Sequence, residues 1–171
     1  MWYVIQTFSG EEERTANMME RSISSYLIQE CFIPKREKLK KYHGRWNKVE
    51  EILFPGYVFA ATEHPKELYQ ELKAVPRLTR LLGKEGQFFF SLNQEEEDFV
   101  REIGGHGHKA VVSKVKIEEG KKIRVLEGPL RDYVGDVVKV NLHKREVVIR
   151  VTFMGREMEL KLGVEMVDGG E

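Results

Sequence analysis

The sequence predicts an α+β fold in two modules: a mainly antiparallel sheet with flanking helices, then a small β-barrel. Three observations predict it. Over about the first hundred residues, strand-like and helix-like stretches mix without a strict strand–helix–strand rhythm, which favours a mainly antiparallel sheet. Gly104-Gly105-His106-Gly107-His108-Lys109 then interrupts every pattern and reads as a flexible linker. From Glu118 onward, short alternating stretches recur between turn residues, as in a small barrel.

Residues 2–8 are aromatic and β-branched and suit a buried strand, closed by a Ser9-Gly10 turn. Glu11-Glu12-Glu13 place acids where a helix N-terminus is positive. Ala16, Met19, Ile23, Tyr26 and Leu27 recur at helical spacing, so the helix spans 11–29. Cys31–Pro34 opens a second strand, and Tyr42-His43-Gly44 offers the tip of a hairpin that returns through Val49–Phe54. Gly56–Thr62 is the next strand, 65–73 a short helix, Leu78–Leu82 a strand and Gln94–Ile103 a second amphipathic helix. In the barrel the predicted strands are Lys121–Glu127, Tyr133–Asn141, Glu146–Phe153, Arg156–Leu162 and Val164–Val167. Turns fall at Gly128-Pro129, His143-Lys144-Arg145 and Met154-Gly155.

The 171 residues suffice for one large or two small domains, and 28 Lys plus Arg balance 28 Asp plus Glu. Zero net charge argues against a nonspecific nucleic-acid coat, but a local basic patch remains open because arrangement sets the field. A single cysteine, Cys31, allows no internal disulfide and fits a reducing cytoplasm. The start Met1-Trp2-Tyr3-Val4-Ile5 reads as a strand rather than a signal peptide. No run of apolar residues is long enough for a membrane span.

Nothing in the chain resembles a catalytic set, so the expectation is a binding protein without cofactor or metal. His106 and His108 flank Gly107 with no further ligand near in sequence and read as linker residues. Cys31 lacks a nucleophile elbow and reads as a small buried hydrophobe. Leu53-Phe54-Pro55-Gly56-Tyr57-Val58-Phe59 is an aromatic strand entered through a Pro-Gly turn. Tyr57 and Phe59 share a face by alternation. Exposed with Phe54, they would mark a partner site; buried, they would be core.

Two stretches are basic. Lys35, Arg36, Lys38, Lys40, Lys41, Arg45 and Lys48 run together with Tyr42, His43 and Trp46 interleaved. Cations neutralise phosphates and aromatics stack on unpaired bases; a solvated hairpin is the other reading. In the second half Lys121, Lys122, Arg124, Arg131, Lys144, Arg145 and Arg156 supply positive charge. Glu127, Asp132, Asp136 and Glu146 dilute it, so RNA binding there must be selective rather than diffuse.

Trp2–Gly10, Phe54-Pro55-Gly56-Tyr57-Val58, Val75-Pro76-Arg77 with Leu81-Leu82-Gly83, Gly120–Val138 and Phe153-Met154-Gly155-Arg156 occur in this order. With them the chain resembles the NusG family of transcription elongation factors over nearly its whole length. The basic loop 38–48, the arginines of 77–80 and the His143-Lys144-Arg145 turn are most similar to the specialised antiterminators of the LoaP type. The resemblance implies an NGN domain over 1–104, a linker over 105–117 and an SH3-like KOW barrel over 118–171. It implies that the NGN domain binds the clamp helices of the largest RNA polymerase subunit through Phe54, Tyr57 and Phe59, with Gln6 and Leu82 at the border. Arg77 and Arg80 would lie near non-template DNA. The KOW domain would recognise an RNA leader hairpin through its basic residues, joined by Lys38, Lys40, Lys41 and Arg45 of the first module. Pausing and termination would be suppressed by a monomer. A general NusG, whose KOW domain binds Rho or a ribosomal protein, is the rival; an unrelated α+β enzyme is a more distant one.

Overall fold

The computed structural model describes residues 1–82, 87–119 and 122–167. The chain forms two compact units. One comprises Met1–Ile33 and Phe54–Asp98; the other comprises Pro34–Leu53 and the chain from Phe99 onward.

The first unit is a four-stranded antiparallel sheet. Its strands β1 (Trp2–Gln6), β2 (Glu30–Phe32), β5 (Tyr57–Ala61) and β6 (Phe89–Ser91) take the order β2-β5-β1-β6. Helices α1 (Glu12–Ser22), α2 (Pro65–Ala74) and α3 (Pro76–Thr79) belong to the same unit. Ile5, Met19, Leu27, Val58, Leu68, Leu72 and Leu78 pack into its buried apolar core. Helix α4 (Gln94–Gly104) carries the chain onward.

Two predicted elements differ. The first helix stops at Ser22 instead of continuing to 29, and Ser25–Leu27 forms a separate 3-10 turn. Serines compete for backbone hydrogen bonds, and here Ser24 donates from both its N–H and its hydroxyl to the Glu71 carboxylate, at 3.0–3.2 Å. The strand expected at Leu78–Leu82 is instead the short helix α3 followed by a single bridge, Thr7 to Leu82. Pro76 is preset for the first helical position, and the Thr79 hydroxyl donates to the Pro76 carbonyl at 2.7 Å.

The second unit contains strands β3 (Lys35–Tyr42), β4 (Arg45–Ile52), β7 (Lys109–Ala110), β8 (Ser113–Glu118), β9 (Lys122–Glu127), β10 (Val137–Asn141), β11 (Glu146–Phe153) and β12 (Arg156–Met166). Five form the sheet β10-β11-β12-β8-β9; the other three form β4-β3-β7. The β3–β4 hairpin therefore packs with the second half of the chain. Its tip, His43 (φ 50°) and Gly44 (φ 78°), has the two left-handed residues of a tight hairpin turn.

Several predicted barrel elements shift. Residues 113–117, expected to be linker, join Glu118 in β8; the alternation of buried Ser113 and Val115 with outward lysines is a strand pattern. Pro129–Asp136 is a 3-10 segment, so β10 begins four residues later than expected. Gly128 (φ 110°) lies so close to Ser113 that an added Cβ would sit 2.6 Å from its Cα. Leu130 N–H donates to the Ser113 hydroxyl at 2.9 Å, fixing that turn. The last two expected strands merge into β12. At Gly163 the backbones of β12 and β3 meet: an added Cβ would lie 2.2 Å from the Glu37 carbonyl oxygen.

Candidate functional site

The aromatic strand comes first. Phe54, Tyr57 and Phe59 are 1%, 4% and 0% exposed. Phe59 packs its ring 5.4 Å from both Phe54 and Phe32. These rings are core, so the expected exposed aromatic patch does not form from them; Val58 and Ala60 of β5 join the cluster with the helical side chains Met19, Leu68 and Leu72, while Phe59, on the other face, closes against Phe32 and Phe54. Gln6 pairs with Tyr57 in register and is half-buried; Leu82 is buried against the core.

A residue missed in the sequence organises this corner. Glu12, buried within α1, accepts hydrogen bonds from Gly10 N–H at 2.8 Å and Gly56 N–H at 2.7 Å. Thr7 N–H donates to the Gly56 carbonyl at 2.8 Å, and the Thr7 hydroxyl meets that of Thr15 at 2.8 Å. One carboxylate thus ties the Pro-Gly turn before β5 to the turn before α1. In the sequence Glu12 is indistinguishable from Glu11 and Glu13. The large apolar side chain left exposed beside this corner is Phe8, whose N–H donates to the Leu81 carbonyl at 3.2 Å.

Arg77 and Arg80 are exposed, and with Arg14, Met18 and Leu81 they line a hollow of about 350 Å3. Arg14, not singled out by sequence, is 3.5 Å from Glu11.

The basic hairpin and the barrel turn come together within the second unit. Arg36 is buried and pairs with Glu51 and, at 3.2 Å, with buried Glu146. Lys38 reaches Glu146 at 3.7 Å and Glu51 at 3.8 Å. Lys38 is therefore engaged within the fold. At the tip, Lys41 lies over the Trp46 ring at 5.7 Å, Lys40 over Tyr42 at 5.5 Å, and the Arg145 guanidinium over Trp46 at 4.5 Å. Cross-strand pairs share a face, and the register joins Lys41 to Trp46 and Tyr42 to Arg45. The two aromatics therefore face opposite ways and do not make one surface.

The remaining predicted cations are dispersed. Lys122 and Arg124 are exposed on the edge strand β9, separated from β11 by β8 and β12 in the sheet. Lys144 is exposed in the turn beside Arg145; Arg131 donates to the Leu126 carbonyl at 3.1 Å; Arg156 is exposed at the start of β12. Lys121 lies outside the described residues. Among those described, no three His, Cys, Asp or Glu side chains are grouped to hold a metal ion, and no helix is long and apolar enough to cross a membrane. Burial, then the nearby Glu20 and Glu30, pushes the Cys31 thiol up from 9.0 to about 11.

Residues 1–101 match the family described as transcription termination factor nusG. The chain belongs to the NusG family. Among its NusG relatives, the transcription termination/antitermination protein of Thermus thermophilus is 29% identical over 97% of this chain and 96% of its own length. The protein of the same description from Vibrio cholerae is 30% identical over 98% and 96%. A solved structure described as domain interaction in Thermotoga maritima NusG is 26% identical, with a TM-score of 0.56 over 95% of this chain and 92% of that one. The mixed helices and sheets of the first half and the β-rich second half accord with an α+β NGN domain plus a β-rich KOW domain.

Proposed function

We propose that the protein is a transcription elongation factor that binds RNA polymerase and acts by binding energy alone, suppressing pausing and termination. The observation that carries this reading is the match of residues 1–101 to the family, a span that contains the Glu12-clamped Pro55-Gly56 turn. It is supported by relatives, similar over almost their whole length, that are named for termination and antitermination. An NGN domain over 1–104 and a KOW domain over 118–171 frame it, with β8 extending the barrel sheet back into the stretch 105–117 expected to be linker, and the clamp helices of the largest polymerase subunit are the proposed target. With Phe54, Tyr57 and Phe59 in the core, these residues shape the docking corner from within. Gln6 and Leu82 border it and Phe8 offers the exposed apolar contact. Arg77 and Arg80, with Arg14, are the proposed contacts to non-template DNA, a reading that their charge and exposure support.

The test is retention of the protein on immobilised core polymerase. Phe8→Ala should weaken retention about tenfold while leaving the unfolding transition in place, as expected for an exposed anchor. Unchanged retention by Phe8→Ala, together with unchanged retention by a folded Tyr57→Ala, would remove this corner from the interface.

Recognition of an RNA leader element is the specialised, LoaP-like form of this reading, and the Lys41–Trp46–Arg145 cluster favours it. In the general form the KOW domain takes Rho or a ribosomal protein instead. A specific leader RNA that competes better than bulk RNA separates the two.

A further inference from the structure

Trp46 stands out from the charge around it. From Lys40 to Val49 the chain carries four Lys or Arg and no Asp or Glu. The acid adjoining the barrel turn, Glu146, is buried against Arg36 and Lys38, so it does not cancel the positive field at the hairpin tip. In that field Trp46 is 38% exposed, whereas Trp2 is 4% exposed. Arg145, from the turn between β10 and β11, lies on the Trp46 ring at 4.5 Å, and Lys41 approaches at 5.7 Å. Lys48 lies two residues further along β4 and shares the face of Trp46 by alternation.

We propose that Trp46 is a stacking platform for one unpaired nucleobase, completed by Arg145 and flanked by Lys41 and Lys48 as phosphate contacts. This rests on the nucleic-acid reading of the cationic surface and specifies a single-stranded chain as its ligand. A ring already held by a guanidinium loses little freedom when a base stacks on it, which favours binding. Stacking on an aromatic side chain is tolerant of base identity, and the cations follow the backbone. A continuous A-form duplex keeps its bases stacked inside and offers none to the ring. Tyr42, on the opposite face with Lys40 and Arg45, is not part of the platform.

The full-length protein is titrated with an unstructured RNA 12-mer, the DNA chain of the same sequence, and a blunt RNA duplex of equal length, with tryptophan emission as one readout. Single strands should quench the exposed Trp46 and leave the contribution of Trp2. Tighter binding of the RNA or of the DNA chain both support the platform and identify the strand it serves. Trp46→Ala should lose about tenfold in single-strand affinity, with Trp46→Phe retaining most of it. Lys41→Gln with Lys48→Gln should reduce the slope of log affinity against log salt by about 1.4, or about 0.7 for each phosphate contact on a single strand. Equal affinity of Trp46→Ala and wild type overturns the platform, as does a duplex bound as tightly as the single strand with Trp46 silent; the latter leaves RNA recognition standing. A wild type that binds no nucleic acid removes RNA recognition together with the platform, and polymerase retention measured in parallel is independent of both.

Discussion

Both units bury apolar side chains, but they use buried charge differently. In the first, Phe59 packs against Phe32 and Phe54, and Met19, Leu68 and Leu72 fill a dry apolar core. Its buried Glu12 serves backbone amides rather than a cation. In the second, a hairpin is fastened to a barrel through buried Arg36 and Glu146, residues 110 apart in sequence. The apolar core is specified largely by local pattern, because any well-spaced hydrophobic side chain gains by burial. The ion pair is specified only by partner, because a buried charge without its counter-charge is strongly unfavourable.

The largest expected effect tests the first half of that comparison. Phe59→Ala should cost about 4 kcal/mol in urea unfolding, through lost transfer energy and the cavity left behind. A loss below about 1 kcal/mol, within the range of a surface substitution, would mean that the ring is not core.

Next in size, Glu146→Ala should cost about 3 kcal/mol, because Arg36 loses a buried partner; its contact with Glu51 tempers the loss. Replacing both partners, Arg36→Met with Glu146→Leu, should come out near neutral. If the double replacement were as damaging as the single one, charge pairing would not be what distinguishes the second unit.

The smallest effect concerns the thiol of the first unit. Cys31 has its pKa raised from 9.0 to about 11, so the folded protein keeps a proton that the unfolded chain gives up. Its contribution to stability is present below pH 9 and declines as pH rises from 9 towards 11. The rate of alkylation by iodoacetamide should rise with a midpoint near 11; a midpoint near 9 would place the thiol in open solvent.

The elements differ in how far they could be read. β1, β5, α2, α4 and β11 were legible because period and turn residues agree within each segment. α3 was not, because Leu78–Leu82 is apolar enough for a strand and the proline two residues earlier decided the matter. β8 was overlooked although its alternation was present, because the glycines before it invited a linker. Of the candidate site, the cations of the hairpin tip and the 143–145 turn were legible as charge. That Lys38 is consumed by Glu51 and Glu146, and that Arg145 lies on Trp46, were not.

By itself the sequence determined the α+β class, the order of most elements, the family and the two basic segments, since these depend on local periodicity and on motifs that are contiguous in the chain. Tertiary structure alone decided that Phe54, Tyr57 and Phe59 are core, that Glu12 clamps Gly56, and that the hairpin belongs with the barrel. Those outcomes depend on burial and on pairs far apart in sequence. Neither has a local signature, because alternation gives a strand its two faces but not what will cover them.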